Sequence, residues 1–571
     1  MINDLYTQWG EEITENPWQV YPRPQMKRDS FLNLNGRWEF GVSTGKRFPE
    51  YDKTILVPFC PESLLSGIHT HYGEETFLYY RRTVDLPKSF RKGKVLLHFG
   101  AVDQVAEVYL NRRIVGKHIG GYDAFTVDIT DYLQESNVLE VRVKDDLRSS
   151  VLPYGKQTLK RGGMWYTPVS GIWQTVWLEN VPEKHIEKLD IRVTLKEATV
   201  TVTPKLTGVA LFEGEEIELV DGTAVLRPVK AENWTPENPK LYDFSVVCGD
   251  DRVESYFALR TIEAKEVNGI PRLCLNGKPY FFHGLLDQGY WPDGIYTPAS
   301  PECYAEDILA MKKLGFNMLR KHIKVEPEQF YYDCDRLGMV VFQDMVNNGK
   351  YSFLGDTLLP TIGVQKMKDC KRHKNPASRK AFYTGMEATV AQLKNHPSIV
   401  YWTIFNEGWG QFCADKAFDK LVELDDSRVI DSTSGWFRRN KTHVESLHIY
   451  FGSFRKLKAG NKPLVLSEFG GYCYAVPEHL FCPDKSYGYR NCKTLDDYRT
   501  DLEALYREKI VPAVRKGLCA AVYTQVSDVE EEVNGLYTYD RKVCKADEQN
   551  MQVLAQELKR AIQLEESKDE V

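Results

Sequence analysis

The fold is decided by the segment Lys394-Asn395-His396-Pro397-Ser398-Ile399-Val400-Tyr401-Trp402-Thr403-Ile404-Phe405-Asn406-Glu407. Its middle part is apolar on both faces and rich in residues that favour strands, which is typical of a buried parallel strand. The apolar run stops on an amide followed by a carboxylic acid. In a parallel barrel, polar side chains at the carboxyl ends of the strands face the active-site mouth. We therefore expect Asn406 and Glu407 to lie at such a mouth.

A second strand of the same kind follows, with the sequence Lys462-Pro463-Leu464-Val465-Leu466-Ser467-Glu468-Phe469-Gly470-Gly471. It also ends on a glutamate. A single glutamate at a strand end is more often a solvated cap or an ion-pair partner. Two carboxyl groups on two strand ends of one barrel are what glycoside hydrolysis requires, one as acid and one as nucleophile or base. The pair Glu407 and Glu468 is therefore the candidate catalytic pair.

Both segments resemble motifs of glycoside hydrolase family 2, the retaining β-galactosidase, β-glucuronidase and β-mannosidase family. The Asn-His-Pro-Ser run before Asn406-Glu407 is similar to the acid/base motif of that family, and Leu466–Gly470 is similar to its nucleophile motif. The resemblance implies a retaining exo-β-glycosidase that works by double displacement. It implies Glu407 as acid/base, Glu468 as nucleophile, and Asn406 as the residue that bonds the sugar 2-hydroxyl.

The rest of the chain divides into three parts. Residues 1–181 contain short alternating strands separated by Gly, Asn and Asp, which favours a jelly-roll β-sandwich, and the segment 116–125 resembles the sugar-binding domain of the family. Residues 182–262 predict a smaller, immunoglobulin-like β-sandwich. In residues 263–571, strands alternate with helices, which predicts a TIM (β/α)8 barrel. The predicted barrel strands are 280–286, 316–320, 339–343, 399–405, 429–433, 444–448, 464–467 and 518–524.

Length, charge and cysteine usage limit the class of protein. The 571 residues carry a formal net charge of −6 without long runs of one sign, so we expect no nucleic-acid partner. No apolar stretch approaches the roughly 18 residues of a membrane span, and the first residues lack the features of a signal peptide. We expect a cytoplasmic protein without membrane contact. The 12 scattered cysteines, with no CxxC, predict reduced, buried thiols.

Two further strand ends carry polar residues that match the family. His448 and Tyr450 end strand six and alternate, so they are expected to point the same way. The resemblance implies that Tyr450 bonds the nucleophile and that Arg320, at the end of strand two, orients it. The family motif continues from that arginine into a Ser-His-Tyr-Pro-like run. This chain has Lys321-His322-Ile323-Lys324 instead, so no sugar-binding histidine is assigned there.

Other candidates for substrate contact come from loops. Asp287 and Trp291 follow strand one, and Trp291, Trp409 and Trp436 are candidates either for stacking on sugar rings or for packing at the rim. Asp145 follows a strand of the first sandwich. Loops at sandwich ends often carry function, so we expect that Asp145 reaches the mouth.

The sequence leaves the sugar open and argues against a metal. Strand three continues as Gln343-Asp344-Met345, without the acidic cluster that holds magnesium in large β-galactosidases, so we expect no metal and no other cofactor. Asn534 is followed by Gly535-Leu536, so the Asn-x-Lys pair with which glucuronidases grip a carboxylate is missing. This favours a galactose-configured sugar. The compact three-part architecture favours a β-hexuronidase, either a β-glucuronidase or a β-galacturonidase.

Two other classes of function remain alternatives. A non-catalytic carbohydrate-binding protein would be inert towards a panel of aryl β-glycosides. A metal-dependent barrel hydrolase would need a histidine cluster, but the HxH motif, His69-Thr70-His71, lies in the first sandwich. The expected partner is a carbohydrate or glycoconjugate substrate, and a homo-oligomer is left open.

Overall fold

A computed structural model describes residues 2–361, 364, 368–451, 454 and 457–563. The first part of the chain is a sandwich of two antiparallel sheets, with strand orders β1-β12-β5-β9 and β3-β2-β4-β10-β7-β8, and a short β6–β11 pair. Side chains of β7 alternate between buried and half-buried positions, as the period of two along a strand requires. The strands are β1 (Phe31–Asn33), β2 (Gly36–Ser43), β3 (Lys53–Val57), β4 (Phe77–Val84), β5 (Lys94–Phe99), β6 (Val102–Asp103), β7 (Val105–Leu110), β8 (Arg113–Ile119), β9 (Phe125–Asp128), β10 (Asn137–Lys144), β11 (Gly171–Ile172) and β12 (Val176–Val181).

The second part is a smaller sandwich with strand orders β13-β14-β17 and β16-β15-β18-β19. Its buried cluster runs from Ile186 to Leu259. A three-stranded antiparallel sheet follows, and its residues Leu273 and Leu275 share a buried cluster with the barrel residues Met318 and Val340. The strands are β13 (Lys188–Val193), β14 (Ala198–Thr203), β15 (Val209–Phe212), β16 (Glu215–Glu218), β17 (Thr223–Leu226), β18 (Tyr242–Cys248), β19 (Asp251–Phe257), β20 (Ile262–Val267), β21 (Ile270–Leu275) and β22 (Lys278–Pro279).

The third part is a parallel barrel with the strand order β27-β26-β25-β24-β23-β32-β29-β28. The two ends of this order, β27 and β28, lie side by side. The predicted fold is confirmed, and the ends of the eight barrel strands differ from the predicted ones by three residues at most. The strands of this part are β23 (Phe282–Asp287), β24 (Met318–Lys321), β25 (Val340–Asp344), β26 (Ile399–Asn406), β27 (Val429–Ser434), β28 (Glu445–Ile449), β29 (Leu464–Gly470), β30 (Tyr472–Cys473), β31 (Arg490–Asn491) and β32 (Leu518–Thr524).

Helices surround the barrel. Helix α5 begins with Pro376 in its first turn, and the Asn375 side chain accepts a hydrogen bond from the Ala377 N–H, which is a favourable start for a helix. Among the described residues, no helix is both long enough and apolar enough to cross a membrane. The helices are α1 (Gln8–Glu11), α2 (Glu302–Lys313), α3 (Glu328–Leu337), α4 (Leu359–Thr361), α5 (Pro376–Leu393), α6 (Ala414–Leu424), α7 (Leu495–Leu505), α8 (Val511–Val514) and α9 (Glu548–Gln563).

The residues that precede β26 fix the start of that strand. His396 Nδ1 lies 2.7 Å from Asp335 Oδ2, and the Ser398 N–H donates to Asp335 Oδ1 at 2.8 Å. Tyr256, from the second sandwich, donates to the same carboxylate at 2.7 Å. All eight residues of β26 are buried. This end of the segment is therefore structural, and its other end carries Asn406 and Glu407.

The first sandwich reaches over the barrel through the segment 147–169. The Tyr154 N–H donates to the Asn347 carbonyl at 3.1 Å, and the Gly349 N–H donates to the Ser150 carbonyl at 2.8 Å. Asn347 and Gly349 belong to the loop that follows β25. These bonds hold the segment 147–169 over the carboxyl ends of the barrel strands.

The expectation that all cysteines are reduced is wrong at one pair. Cys370 and Cys413 form a disulfide across 43 residues. A short turn at Asp369–Lys371 packs against the start of α6, where the Ala414 N–H donates to Asp369 Oδ2 at 2.9 Å. This contact brings the two sulfurs together. The other ten cysteines are free thiols.

Candidate active site

The carboxyl groups of Glu407 and Glu468 meet at the carboxyl ends of the barrel strands. Glu407 directly follows β26, and Glu468 lies in β29. One oxygen of each, together with a ring nitrogen of His448, lies within 4.8 Å of the others. Glu407 is 7% exposed and Glu468 is 4% exposed. The Glu407 backbone has a φ of 51°, and its N–H donates to the Ser434 carbonyl at 3.0 Å.

His448, on β28, connects the two glutamates. Its Nδ1 lies 2.8 Å from Glu407 Oε1, and its Nε2 lies 3.6 Å from Glu468 Oε1. The ring packs against Gly435, where an added Cβ would lie 2.7 Å from ring atoms, and the φ of Gly435 is +82°. Since a side chain at this position would be both crowded and strained, glycine is required for this placement of the imidazole.

Two donors hold the Glu468 carboxylate. Arg320 Nη1 donates to Oε1 at 2.9 Å, and the Tyr450 hydroxyl donates to Oε2. Burial alone would raise the pKa of Glu468, but the nearby His448 imidazole, the Arg320 guanidinium and the bond from Tyr450 outweigh it and lower the pKa to about 2. Glu468 is therefore ionised over the whole physiological pH range.

Arg320 also positions Asn406. Its Nη2 donates to Asn406 Oδ1 at 2.9 Å, and its Nε donates to Asp344 Oδ1 at 3.1 Å. Because the amide oxygen of Asn406 is engaged, its Nδ2 is left as a donor, and this buried atom has no hydrogen-bond partner among the described residues. Asp344 also lies 2.6 Å from His322 Nδ1. Burial lowers the pKa of His322 to about 4, so this imidazole is neutral at pH 7.

Two family models match the chain. The model for the sugar binding domain of glycosyl hydrolases family 2 matches residues 66–182. The model for the TIM barrel domain of glycosyl hydrolases family 2 matches residues 266–559, which is more than half of the chain. The chain belongs to glycoside hydrolase family 2. The family predicted from the two glutamate motifs is therefore confirmed.

Relatives within family 2 carry several names. A β-galactosidase of Thermoanaerobacter pseudethanolicus is 23% identical over 521 residues, covering 82% of this chain and 66% of the relative. A β-glucuronidase of Bacteroides fragilis is 22% identical over 363 residues, covering 57% of this chain and 49% of the relative. The chain thus spans about two thirds or less of the length of the curated relatives it matches.

Solved structures of family 2 proteins share the fold. A β-D-glucuronidase of Dictyoglomus thermophilum has a TM-score of 0.73 at 17% identity, covering 95% of this chain and 98% of that one. A β-galacturonidase of Eisenbergiella tayi, bound to galacturonate, has a TM-score of 0.68 at 18% identity, covering 96% of this chain and 99% of that one. At such identity the likeness concerns the fold alone.

Two of the candidate tryptophans lie beside the glutamates of this family 2 site. Trp409 is 1% exposed, and its ring stacks on Trp165 at a centroid distance of 5.2 Å. Trp436 is half-buried, and its ring centroid lies 6.3 Å from that of His448. Trp409 therefore forms part of the buried floor of the site, whereas Trp436 lies where the site opens to the surface.

The third tryptophan, Trp291, is not available to a sugar. It is 2% exposed, and the guanidinium of Arg541 lies 4.0 Å from its ring centroid. The turn that carries it is closed by backbone hydrogen bonds between Trp291 and Ile295, at 2.8 and 3.0 Å. Of the two roles expected for Trp291, this burial agrees with packing rather than with stacking on a sugar, because other parts of the chain cover both the turn and the ring.

The two candidate aspartates are also engaged elsewhere. Asp287 accepts from Lys321 Nζ at 2.6 Å, so its charge is neutralised inside the loop layer. Asp145 accepts from the Gln104 amide within the first sandwich. Burial and the nearby charge of Glu62 raise the pKa of Asp145 to about 7. Among the described residues, no hydrogen bond or ion pair joins either aspartate to the glutamate pair, and their expected contact with substrate stays a prediction.

A cavity of about 790 Å³ opens beside Glu407. Its wall is largely apolar and aromatic, and most of its large side chains come from loops at the carboxyl ends of the strands. Glu407 and His448 lie at its inner end. Side chains on the wall include Met164, Phe353, Leu358, Trp436, Phe451 and Tyr489.

The cluster of Glu407, His448 and Glu468 has the donor types of a metal site. Each group is already bound by a protein partner, however. Both oxygens of Glu468 accept hydrogen bonds, from Arg320 and Tyr450, and Glu407 Oε1 faces His448. Arg320 supplies positive charge where a metal ion would otherwise do so. The residues therefore suit a site built on hydrogen bonds and an arginine.

Sequence reasoning missed the contribution of the first sandwich to this site. Trp165 packs on Trp409, and Lys156 Nζ lies 4.5 Å from the centroid of the Trp409 ring. Both belong to the segment 147–169, which has no periodic pattern that could place it. The nearest available signal is the aromatic pair Trp165-Tyr166 in a loop.

Proposed function

We propose that this chain is a retaining exo-β-glycosidase in which Glu468 is the nucleophile and Glu407 the acid/base. The observation that carries the proposal is the separation within 4.8 Å of one oxygen of each glutamate and the His448 nitrogen. Retaining glycosidases need their carboxyl groups about 5–5.5 Å apart, whereas inverting enzymes leave about 6.5–9.5 Å for a water molecule. The short separation supports attack by Glu468 itself.

The reaction requires one ionised and one protonated carboxyl group. With a pKa of about 2, Glu468 is an anion that can attack the anomeric carbon. As that C–O bond forms, the glycosidic C–O bond breaks, and Glu407 donates its proton to the leaving oxygen. In the second step Glu407 takes a proton from water, the water oxygen bonds to the anomeric carbon, and the ester to Glu468 breaks. The product keeps its β configuration.

The unpartnered Nδ2 of Asn406 supports a role in binding the sugar 2-hydroxyl. Arg320 fixes the orientation of that amide through its oxygen. A hydrogen bond to the 2-hydroxyl that strengthens in the oxocarbenium-like transition state accelerates glycoside cleavage. Asn406 would therefore act on the rate as well as on binding.

The two sides of Glu407 support cleavage at a chain end. On one side, Lys156 and Trp165 pack on the buried ring of Trp409 and close the site. On the other side, the cavity of about 790 Å³ leads to the surface. A terminal sugar would lie on the closed side and its leaving group in the apolar cavity, within reach of the Glu407 proton.

Two kinds of sugar are candidates. A galactose-configured sugar is supported by the missing Asn-x-Lys pair and by relatives named β-galactosidase. A hexuronic acid is supported by structural neighbours named β-glucuronidase and β-galacturonidase. The glutamate pair by itself does not distinguish between the two kinds of sugar.

A panel of 4-nitrophenyl β-glycosides tests the proposal. Galactoside, glucuronide, galacturonide, glucoside and mannoside are assayed with the wild type and with Glu468→Ala. We expect hydrolysis of at least one substrate, its loss by roughly 10⁴-fold or more in the variant, and partial recovery with azide, which fills the space of the carboxylate. A wild type that cleaves no substrate but binds sugars would instead support a non-catalytic carbohydrate-binding protein.

A further inference from the structure

Lys156 is a buried cation beside the proposed catalytic pair. The residue is only 6% exposed, and its Nζ lies 4.5 Å from the centroid of Trp409 and 5.9 Å from that of Trp165. In the part of the chain that the structure describes, no carboxylate forms an ion pair with this ammonium and no acceptor forms a hydrogen bond with it. Buried lysines are normally paired, so this one lacks the usual compensation.

The charges that face Lys156 lie at longer range. Burial lowers the pKa of Lys156, while the carboxylates of Glu532, Glu468 and Glu407 oppose that shift and Arg320 adds to it. Glu532 is already bound by the Tyr166 hydroxyl and by Asn534 Nδ2. Glu468 is held by Arg320, as described above. Glu532 and Glu468 are therefore committed to other donors.

An unpaired buried ammonium is costly. Removing a charge from water is unfavourable unless a partner of opposite charge replaces the water. Cation–π contact with tryptophan offsets part of that cost. A binding site that leaves such a cation unpaired suits a ligand that carries an anionic group.

Asn534, the asparagine nearest to the Asn-x-Lys position of glucuronidases, makes its hydrogen bonds within the protein. Asn534 accepts from Gln525 Nε2 at 2.8 Å and donates to Glu532 Oε1 at 3.0 Å, so both ends of its amide are engaged within the protein. Leu536, two residues later, is buried and carries no charge. The barrel therefore supplies no cation at this position, whereas the first sandwich supplies Lys156.

We propose that Lys156 binds the carboxylate of a β-linked hexuronic acid held at the Glu407–Glu468 pair, so that the substrate class is a β-hexuronide. The inference rests on the proposed function, since it concerns the sugar that the same pair cleaves. A neutral hexose offers the ammonium one hydroxyl oxygen but leaves its charge uncompensated. Sites built around a buried polar group discriminate strongly against ligands that leave it unpaired.

Matched substrate pairs test this assignment. The wild type is assayed on 4-nitrophenyl β-glucuronide against glucoside and on galacturonide against galactoside, because each pair keeps the leaving group and the ring configuration. We expect kcat/KM to be at least about 100-fold higher for the acid in one pair. Lys156→Met keeps the length of the side chain and removes the charge. It should lower kcat/KM for the acid by about 100-fold and change that for the neutral sugar less than about fivefold.

The control variant is Lys160→Met, which removes an exposed lysine from the same segment. It should leave both rates unchanged. Lys156→Arg provides a second variant with the charge retained, and it should keep the preference for the acid even if both rates fall. Thermal melting shows whether each variant is folded.

Inhibitor binding gives a readout that does not depend on turnover. Uronic deoxynojirimycin and deoxynojirimycin differ by a carboxylate, so their dissociation constants are compared by calorimetry for the wild type and Lys156→Met. We expect the variant to lose affinity for the uronic compound alone.

Three results would overturn the assignment of Lys156. These are a wild-type preference for neutral sugars, an equal loss on both sugars in a folded Lys156→Met, and equal binding of the two inhibitors. If the wild type prefers a neutral sugar and Glu468→Ala abolishes that activity, the assignment of Lys156 fails and the proposed function stands. If no glycoside is cleaved, the proposed function fails, and inhibitor binding still decides whether Lys156 recognises a carboxylate.

Discussion

Removing the hydroxyl of Tyr450 tests how Glu468 is held. Tyr450→Phe deletes the donor to Glu468 Oε2 but keeps the ring, which stacks on Tyr489 at a centroid distance of 3.8 Å. A hydrogen bond to a charged group contributes about 1.5–3 kcal/mol. Since about 1.4 kcal/mol corresponds to a factor of ten, we expect kcat to fall by about 10- to 150-fold at pH 7. The loss arises from a less well oriented nucleophile, because Glu468 stays ionised at that pH.

The pH profile separates orientation from general destabilisation. The bond stabilises the charged form, so its removal raises the pKa of Glu468 from about 2 by roughly one to two units. The acid limb of kcat/KM should therefore move to higher pH if Glu468 sets that limb. Tyr383→Phe, on α5 with its ring against Phe412, is the matched control and should behave as the wild type. An unchanged rate and acid limb in Tyr450→Phe would refute this reasoning.

Three further predictions concern the acid, the stability of the barrel and the disulfide. Glu407→Gln should slow substrates with poor leaving groups far more than activated aryl glycosides, because the latter need little protonation; equal losses would contradict the role of Glu407. Arg428 pairs with Asp425 at 3.2 Å, and the pKa of Asp425 is lowered from 3.8 to about 2 although burial alone would raise it. Asp425→Asn should therefore lower the free energy of unfolding in urea by about 2 kcal/mol at pH 7. The lowered pKa means that this contribution is complete above pH 3.8 and is lost as the pH falls towards 2, so a difference that persisted at low pH would contradict it. Titration of the unfolded chain should find ten thiols before reduction and twelve after it, because Cys370 and Cys413 are joined; twelve before reduction would rule out the bond.

The parts of the fold that could be predicted are those with a local signal. The strands β26 and β29 are apolar on both faces and bounded by turn residues, so their positions followed from the pattern alone. Their polar ends carried Glu407 and Glu468, and the structure brings these two side chains together. Strand ends of a parallel barrel converge on one face, which is why residues far apart in sequence could be grouped.

The parts that could not be predicted depend on contacts between distant segments. Trp291 lies in a loop from which stacking and packing were both expected, but residues near the start of the chain pack there, and the Thr7 N–H donates to Asp293 Oδ2 at 2.8 Å. Lys156 reaches the barrel from another domain through a segment without regular structure. The Cys370–Cys413 bond joins a turn to a helix start. Neither the composition nor the periodicity of a sequence predicts which loops contact each other.

The most direct test of the central claim is to identify the residue that becomes bonded to the sugar. The wild type is treated with a 2-deoxy-2-fluoro β-glycoside that has a dinitrophenyl leaving group, matched to the sugar cleaved fastest in the panel. The fluorine slows the second step, so the glycosyl ester accumulates and can be located by mass spectrometry of peptides. We predict the label on Glu468, in the peptide that contains Leu464–Gly470. A label on another carboxylate, or a first product of α configuration by NMR, would contradict the account.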